Sequence, residues 1–424
     1  MKIVKYPPKE TWGDLLKRPA FDTASLENTV AAILKDVKQR GDAAVRKYTL
    51  QFDKVTVAQP QVSKNEFAEA SGLVSKELKK AISLARQNIQ KFHEAQKEKP
   101  QYIETTKGVK CWRRSIAIEK VGLYIPGGSA PLFSTLLMLG IPARIAGCKE
   151  IILCTPPGPD GKINPAILYT AQLIGLKKIF KIGGVQAIAA MACGTESVPQ
   201  VFKIFGPGNQ YVTCAKQLVN ARGVAIDMPA GPSEVAVWAD NTCVPAFVAA
   251  DLLSQAEHGA DSQVLLITKD EQVIAKVQEA LAGQLNALPR RQIAVNALKN
   301  SKAILVKNDK EAIEMINLYA PEHLIVSCQN AEALALKVVN AGSVFLGNYT
   351  PESAGDYASG TNHTLPTNGY ARAYSGVSLD SFVKKITFQK ISRPGIKNIG
   401  RAIEQMAQAE GLYAHKNAVT IRLK

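Results

Sequence analysis

Between Val121 and Asn220 one pattern recurs four times: a short apolar run, a glycine-rich loop, then a segment of helical periodicity. Val121–Ile125 ends in PGGSAP, Ile151–Cys154 in TPPGPDG, Lys178–Ile182 in GGVQA and Val201–Phe205 in GPGNQ. Helices are predicted between them at Ser134–Ala146, Pro165–Ile174, Ala187–Cys193 and Gln210–Asn220. Parallel strands need a crossover, and a helix is the usual one, so this alternation specifies a doubly wound parallel sheet. Ligands of such sheets bind beyond the carboxyl ends of the strands, where all four glycine loops fall.

A second α/β run follows. Strands are predicted at Val235–Trp238, Val264–Thr268, Ala303–Val306, Leu324–Val326 and Ser343–Leu346, with a helix at Glu271–Leu285. Ahead of both runs, residues 1–20 read as an arm or short helix. Ser25–Tyr48 reads as a helix, because Val30, Ile33, Leu34 and Val37 repeat at three and four. Residues 64–98 read as one long charged helix and Val109–Lys120 as strand. Residues 350–376 are loop-rich. After them come a short strand near Phe382–Thr387, a helix at Gly395–Glu410 and an extended tail, GLYAHKNAVTIRLK.

The residues that could carry chemistry lie mostly in the second run. In DLLSQAEHGAD (Asp251–Asp261), Pro245 suits the first turn of a helix and Gly259 its C-terminal cap. Gln255 and His258 then share a face in the last turn, at the negative end of the helix dipole. They form either half of a metal site, or a capping histidine beside a solvated glutamine. Glu322 and His323 sit at a strand entrance, where adjacent side chains point oppositely and would serve different tasks. A surface glutamate and a capping histidine fit the same residues. Of the five histidines, His258, His323, His363 and His415 lie beside acids or small residues, whereas His93 looks incidental. No HExxH motif and no cysteine pair is present, so spacing alone does not establish zinc. GPGNQY (Gly206–Tyr211) holds the first two glycines of a dinucleotide fingerprint, with Tyr211 where the third belongs. An acid for a ribose is missing unless Asp227 serves.

Composition narrows the classes. No apolar run reaches bilayer length, and Glu10 and Asp14 in the first stretch argue against a leader peptide. Seven scattered cysteines without a CxxC pair point to a reducing, cytoplasmic compartment, and none has an adjacent histidine to activate it. A formal charge of +16 suits nucleic acid or small anionic ligands. The basic clusters, Lys76–Lys80, Lys177–Lys181 and Arg290–Arg291, are short and lack aromatic interleaving, which favours a solvated surface. A zinc hydrolase using Glu322 as base and a nucleic-acid-binding protein are the competing classes; formation of NADH from an alcohol separates both from a dehydrogenase.

Taken together, VGLYIPGGSAP, KIFGPGNQYV, DMPAGPSEV, DLLSQAEHGADSQV, YAPEHL, AGSVFLG and GDYASGTNHTLPT resemble the histidinol dehydrogenase family, in that family's order and over most of the chain from about residue 20. The resemblance implies two incomplete Rossmann-like domains, N-terminal helices and a C-terminal helical tail exchanged between the subunits of a homodimer. The implied boundaries are an arm at 1–24, a helical segment at 25–121 joining the larger domain, an NAD-binding domain at 122–233, a second domain carrying zinc and catalytic residues at 234–376, and a dimerisation tail at 377–424. It further implies NAD-dependent oxidation of L-histidinol through L-histidinal to L-histidine, with one Zn²⁺ per subunit. The implied zinc ligands are Gln255, His258, Asp356 and, from the partner, His415. The implied acid/base pair is Glu322 and His323. Substrate contacts fall on Ser233, His363 and the partner's Glu410 as well as on the zinc ligands and His323, and NAD contacts on Tyr124, Gln186 and Asn209.

Overall fold

In chain order the strands are β1 (Lys2–Lys5), β2 (Tyr102–Thr106), β3 (Val109–Ala117), β4 (Lys120–Tyr124), β5 (Glu150–Thr155), β6 (Lys178–Lys181), β7 (Lys203–Phe205) and β8 (Ala225–Ile226). They continue as β9 (Glu234–Ala239), β10 (Gln263–Thr268), β11 (Lys302–Leu305), β12 (His323–Ser327), β13 (Ser343–Leu346) and β14 (Val383–Ile391). The computed structural model describes residues 1–19, 23–127, 131–229 and 231–424. Gly128–Ala130 of the PGGSAP loop and Ala230 of DMPAGPSEV lie outside the described residues.

The first α/β run forms an all-parallel sheet in the order β6–β5–β4–β7–β8. Counted by appearance, that is 3-2-1-4-5, the Rossmann order without its sixth strand. Helices Thr23–Arg40, Asp42–Asp53, Gly184–Cys193 and Gln210–Asn220 cover one face. Helices Lys76–Glu94, Phe133–Ala146 and Pro165–Leu173 cover the other. Burial on both faces explains why these strands read as continuous apolar runs rather than as alternation. The strand order reverses between β4 and β7, and there Gly206, just after β7, passes close to the end of β4. Its φ is +129°, and a Cβ would lie 2.0 Å from the Tyr124 carbonyl oxygen.

The second run repeats the topology. Its sheet runs β1–β11–β10–β9–β12–β13, again 3-2-1-4-5 with one strand added. The added strand comes from the arm: β1 pairs in parallel with β11. The arm was expected to be a helix or irregular; it supplies both an edge strand and the helix Trp12–Leu15, with Trp12 buried. Every residue of β9 and β10 is buried.

Other departures have local causes. The helix expected at Ser25–Tyr48 breaks at Gly41, whose φ of +51° starts a second helix at Asp42. The helix expected over 64–98 is two, Lys64–Leu73 and Lys76–Glu94, because Ser75 takes an extended conformation and its hydroxyl caps the Leu78 N–H (3.1 Å). Of the strand expected at Val109–Lys120, the part Val109–Ala117 is the centre of a separate antiparallel sheet, β14–β3–β2. The tail is not extended: Arg393–Ala409 and Tyr413–Leu423 are helices packed on each other, with Leu423 against Gly400. The loop-rich stretch hides a short helix, Glu352–Tyr357.

Gly206→Ala should destabilise the protein by about 1–3 kcal/mol or more, since strain at φ > 0 adds to a backbone clash. Denaturant unfolding measures this; a loss under about 0.5 kcal/mol would show that the turn from β7 to helix Gln210–Asn220 relaxes freely.

Candidate active site

A cleft of about 1000 Å³ lies between the two sheets. One wall is the carboxyl end of the first sheet: Pro126 after β4, and Gly206–Gln210 after β7. The opposite wall is the amino edge of the second sheet: Ser233 before β9, Ser262 before β10, and Glu322 with His323 at the start of β12. The second sheet therefore offers its reactive residues at the edge opposite to the one where glycine loops gather.

Two helix ends complete this wall. Helix Pro245–Ala256 delivers Gln255 in its last turn and His258 just beyond it, where the His258 N–H reaches the Gln255 carbonyl (3.3 Å). The helix stops before Gly259, so that glycine is not its cap. Helix Glu352–Tyr357 delivers Glu352 and Asp356, four residues apart and hence on one face. Donor atoms of His258, Glu352 and Asp356 all lie within 4.8 Å of one another, while Gln255 approaches Glu352 from its own helix. Glu352 had no place among the expected ligands. The i, i+4 spacing of Glu352 and Asp356 carried the signal, but only for a reader who expected a helix there.

The terminal amide of Gln255 fits two ways. With its nitrogen toward Glu352 it donates to that carboxylate, and its oxygen accepts from the Glu234 N–H (2.9 Å). With its oxygen toward Glu352, the nitrogen lies 3.4 Å from Glu322 Oε2.

Glu322 and His323 do not serve separate faces. Both meet the main chain of Glu234: its N–H donates to Glu322 Oε2 (3.0 Å), and its carbonyl lies 3.3 Å from His323 Nδ1. With Nδ1 donating to that carbonyl, His323 Nε2 is the nitrogen left without a protein partner. It is buried, has no hydrogen-bond partner and lies 3.7 Å from Asp356 Oδ1. Burial works to lower the His323 pKa, but the charges of Glu352, Glu322 and Asp356 outweigh it and raise it to about 10. Burial pushes Glu322 to about 8, with the His323 charge partly offsetting. Glu352 rises to about 8 for the same first reason. Burial also opposes the Asp356 charge, yet its contact with His323 and the nearby imidazoles hold it below the usual carboxylate range.

His363 stands across the cleft. Its Nε2 lies 3.0 Å from Thr135 Oγ1, and its Nδ1 is 2.9 Å from the Asp356 carbonyl. The supposedly incidental His93 is fully buried beneath it, bonded through Nδ1 to the Ile89 carbonyl (2.8 Å), with Asn362 near its Nε2 (3.5 Å).

The expected nucleotide contacts divide. Asn209 opens onto the cleft and caps helix Gln210–Asn220, accepting from the Tyr211 and Val212 N–H groups (3.1 Å each). Tyr124 and Gln186 are buried beneath the neighbouring strand ends. The Tyr124 hydroxyl accepts from the Gly184 N–H (3.1 Å), and Gln186 faces Asp53, whose carboxyl burial raises to about 6. Asp227 is not available to a ribose. It pairs with Lys216 (2.5 Å) and accepts from the Gly206 N–H (2.7 Å), both out of solvent. Glu410 and His415 do not line the cleft of their own chain; both are exposed on the tail. All seven cysteines are free, and burial raises six of the thiols, including Cys148 and Cys243 to about 11, which leaves them un-ionised at neutral pH.

A Rossmann-type switch point faces an imidazole–carboxylate pair beside a cluster of N and O donors, the arrangement of an α/β enzyme. The family model described as histidinol dehydrogenase matches residues 16–423. A histidinol dehydrogenase of Bacteroides thetaiotaomicron is 64% identical over 423 residues, spanning 100% of this chain and 99% of the relative. One from Escherichia coli K12 is 53% identical over 412 residues, 96% of this chain and 94% of the relative. The crystal structure of histidinol dehydrogenase from Elizabethkingia anophelis superposes with a TM-score of 0.98 at 59% identity, covering 100% of this chain and 98% of that one. The chain belongs to the histidinol dehydrogenase family, and is by that membership an oxidoreductase of histidine biosynthesis. No helix among the described residues is long and apolar enough to cross a membrane.

Because Glu352 holds a proton up to about pH 8, a divalent cation entering beside it must displace that proton. Adding Zn²⁺ to metal-free protein at pH 7 in dilute buffer should release protons, read with an indicator dye, and affinity should rise with pH. Glu352→Gln should release fewer protons per site than the parent. Full release from that variant would place the proton elsewhere.

Proposed function

We propose that the chain oxidises L-histidinol to L-histidine in two successive hydride transfers to NAD, through L-histidinal held in the cleft and with uptake of one water. The observation that carries this reading is His323 on the cleft wall, its buried Nε2 bonded to no protein group and its Nδ1 3.3 Å from the Glu234 carbonyl, beside a cleft wide enough for substrate and nicotinamide.

The donor set suits Zn²⁺: an amide oxygen from Gln255, an imidazole from His258 and a carboxylate from Asp356, with Glu352 alongside and no thiolate. When bound, the zinc would act as a template for the imidazole and amine of the substrate rather than as a hydrolytic Lewis acid, and NAD would accept the hydrides. The remaining work falls to side chains. Once a cation's charge neutralises the carboxylates that hold the His323 proton, neutral His323 takes the hydroxyl proton as hydride leaves the carbinol carbon. Glu322, adjacent on the same wall, takes a proton from the water that adds to the aldehyde. Ser233 and His363 border the substrate from opposite sides. Asn209, with Tyr124 and Gln186 behind the strand ends, serves the dinucleotide at the switch point of the first sheet.

The tail completes the site of a second subunit. Support comes from exposure: Met406, Leu412, Tyr413 and Ile421 are 65, 44, 65 and 55% exposed on the tail's two helices and the turn between them. Glu410 and His415 sit among them with no role in their own cleft. Burying this edge against another copy would carry Glu410 and His415 to the partner's Gln255 and His258.

His323→Asn should cut oxidation of histidinol about 10²–10⁴-fold, the usual worth of a general base, while zinc stays bound. Glu322→Gln should slow oxidation of added histidinal more than that of histidinol. Parent-like turnover by the first variant, or equal slowing of both half-reactions by the second, would overturn these roles. Deleting 408–424 should abolish activity and zinc retention together. Mixing that deletion with His258→Asn subunits should restore one working site per mixed dimer; no recovery would rule out sharing.

A further inference from the structure

Arg18 stands in the N-terminal arm, ahead of every motif that marks the family. The residue nevertheless borders the cleft, with the side chain 14% exposed. Nε and Nη2 grip the carboxylate of Glu234, the second of these contacts at 2.9 Å. The same Nη2 donates to the Tyr319 carbonyl (2.7 Å) and faces the Ala320 carbonyl (3.4 Å). The cation lies 3.9 Å above the Tyr319 ring. The Tyr319 hydroxyl in turn donates toward Glu234 Oε2 (3.3 Å) and Gln263 Oε1 (3.0 Å). One planar fork thus ties the start of β9 to the turn that leads into β12.

Both tied points belong to the proton-transfer pair. The Glu234 main chain touches Glu322 through its N–H and His323 through its carbonyl. The turn at Tyr319–Ala320 precedes Pro321, Glu322 and His323, and Ala320 is held at φ +52°, a conformation a non-glycine residue adopts only under restraint. The Glu234 side chain is the handle; its peptide groups are the surface that aims the two reacting side chains.

We propose that Arg18 is a positioning residue for Glu322 and His323: it fixes the Glu234 peptide groups and the 319–323 turn relative to each other, and thereby sets the tautomer and direction of the His323 imidazole. The proposal rests on the acid/base roles argued above. Lysine cannot take over, because a point charge can meet Glu234 or the carbonyls but has no fork to hold both.

The test uses the full-length zinc-loaded dimer. Arg18→Lys should fold, keep its zinc and hold KM for histidinol within about threefold. Its kcat should fall about 10–100-fold, the scale expected for displacing a reacting group by an ångström or less. Deuterium on the carbinol carbon should then slow turnover more than it slows the parent, because the first hydride transfer has become limiting. Arg18→Met combined with Glu234→Gln removes both charges together, leaves no orphan ion to unfold the wall, and should show the same signature. If either variant folds with kcat within twofold of the parent, the proposal falls. It also falls if the loss tracks missing zinc or unfolded protein with an unchanged isotope effect, or if neither variant folds, since Arg18 would then be structural only. His323→Asn run in parallel separates the failures. Normal turnover there sinks the acid/base reading itself, whereas a slow His323→Asn beside normal Arg18 variants sinks only the role given to Arg18.

Discussion

Charge crowding at the amino edge of the second sheet governs the rest of the site. Glu322, Glu352 and Asp356 converge there with no lysine or arginine bonded to them among the described residues. Buried carboxylates left to themselves must be neutralised, because ionising them without a partner costs several kcal/mol each. The fold can meet that cost with protons or with a cation. The raised pKa values of Glu322, Glu352 and His323 describe the first solution. The donor atoms of His258, Glu352 and Asp356, all within 4.8 Å of one another, suit the second. Glu234 lies one residue away but belongs to neither, since Arg18 neutralises it directly. That difference separates a structural carboxylate from the reactive ones.

The two sheets share a strand order but not a use of it. In the first, the cleft meets the carboxyl ends of β4 and β7, where the GPGN turn starts a helix capped by Asn209. In the second, the cleft meets the amino ends of the corresponding pair, β9 and β12. A parallel strand begins with peptide groups not yet committed to the ladder, and the first residue of β9 spends its N–H on Glu322. An end that donates suits the carboxylates; the glycine-loop end suits a phosphate-bearing ligand. Setting one against the other puts a nucleotide-type opening and a proton-transfer pair on opposite walls of one cleft.

Most of this was legible because it was local. The glycine loops and apolar runs of Val121–Asn220 carried the first sheet, and the spacing of Gln255 and His258 put both on one wall. What escaped reading was non-local or hidden by composition. β1 looks like a polar arm and becomes a strand only because β11 offers it an edge. Glu352 and Asp356 share a helix face inside a stretch so rich in Gly, Ser and Thr that it reads as loop. His93 looks like one more polar residue on a charged helix, yet Ile89 and Asn362 enclose it. Asp227 stands about where a ribose acid belongs, but Lys216, eleven residues earlier on the preceding helix, claims it. In each case a tertiary partner decided, and no window of neighbouring residues contains that partner.

The cleft in a single chain also has a geometric bias. Gln255, His258, Glu352 and Asp356 come from two helix ends on one wall, so a cation held by them alone has an open side toward the cleft. The same chain carries an exposed imidazole and carboxylate, His415 and Glu410, on a helix pair whose apolar residues have no cover. On the reading proposed above, these are two halves of one requirement. Association buries the apolar edge, and the same motion supplies the donors that the single wall lacks. An enzyme built this way holds its metal and substrate firmly only once assembled, because the coordination shell and the dimer interface are then closed by the same segment of chain.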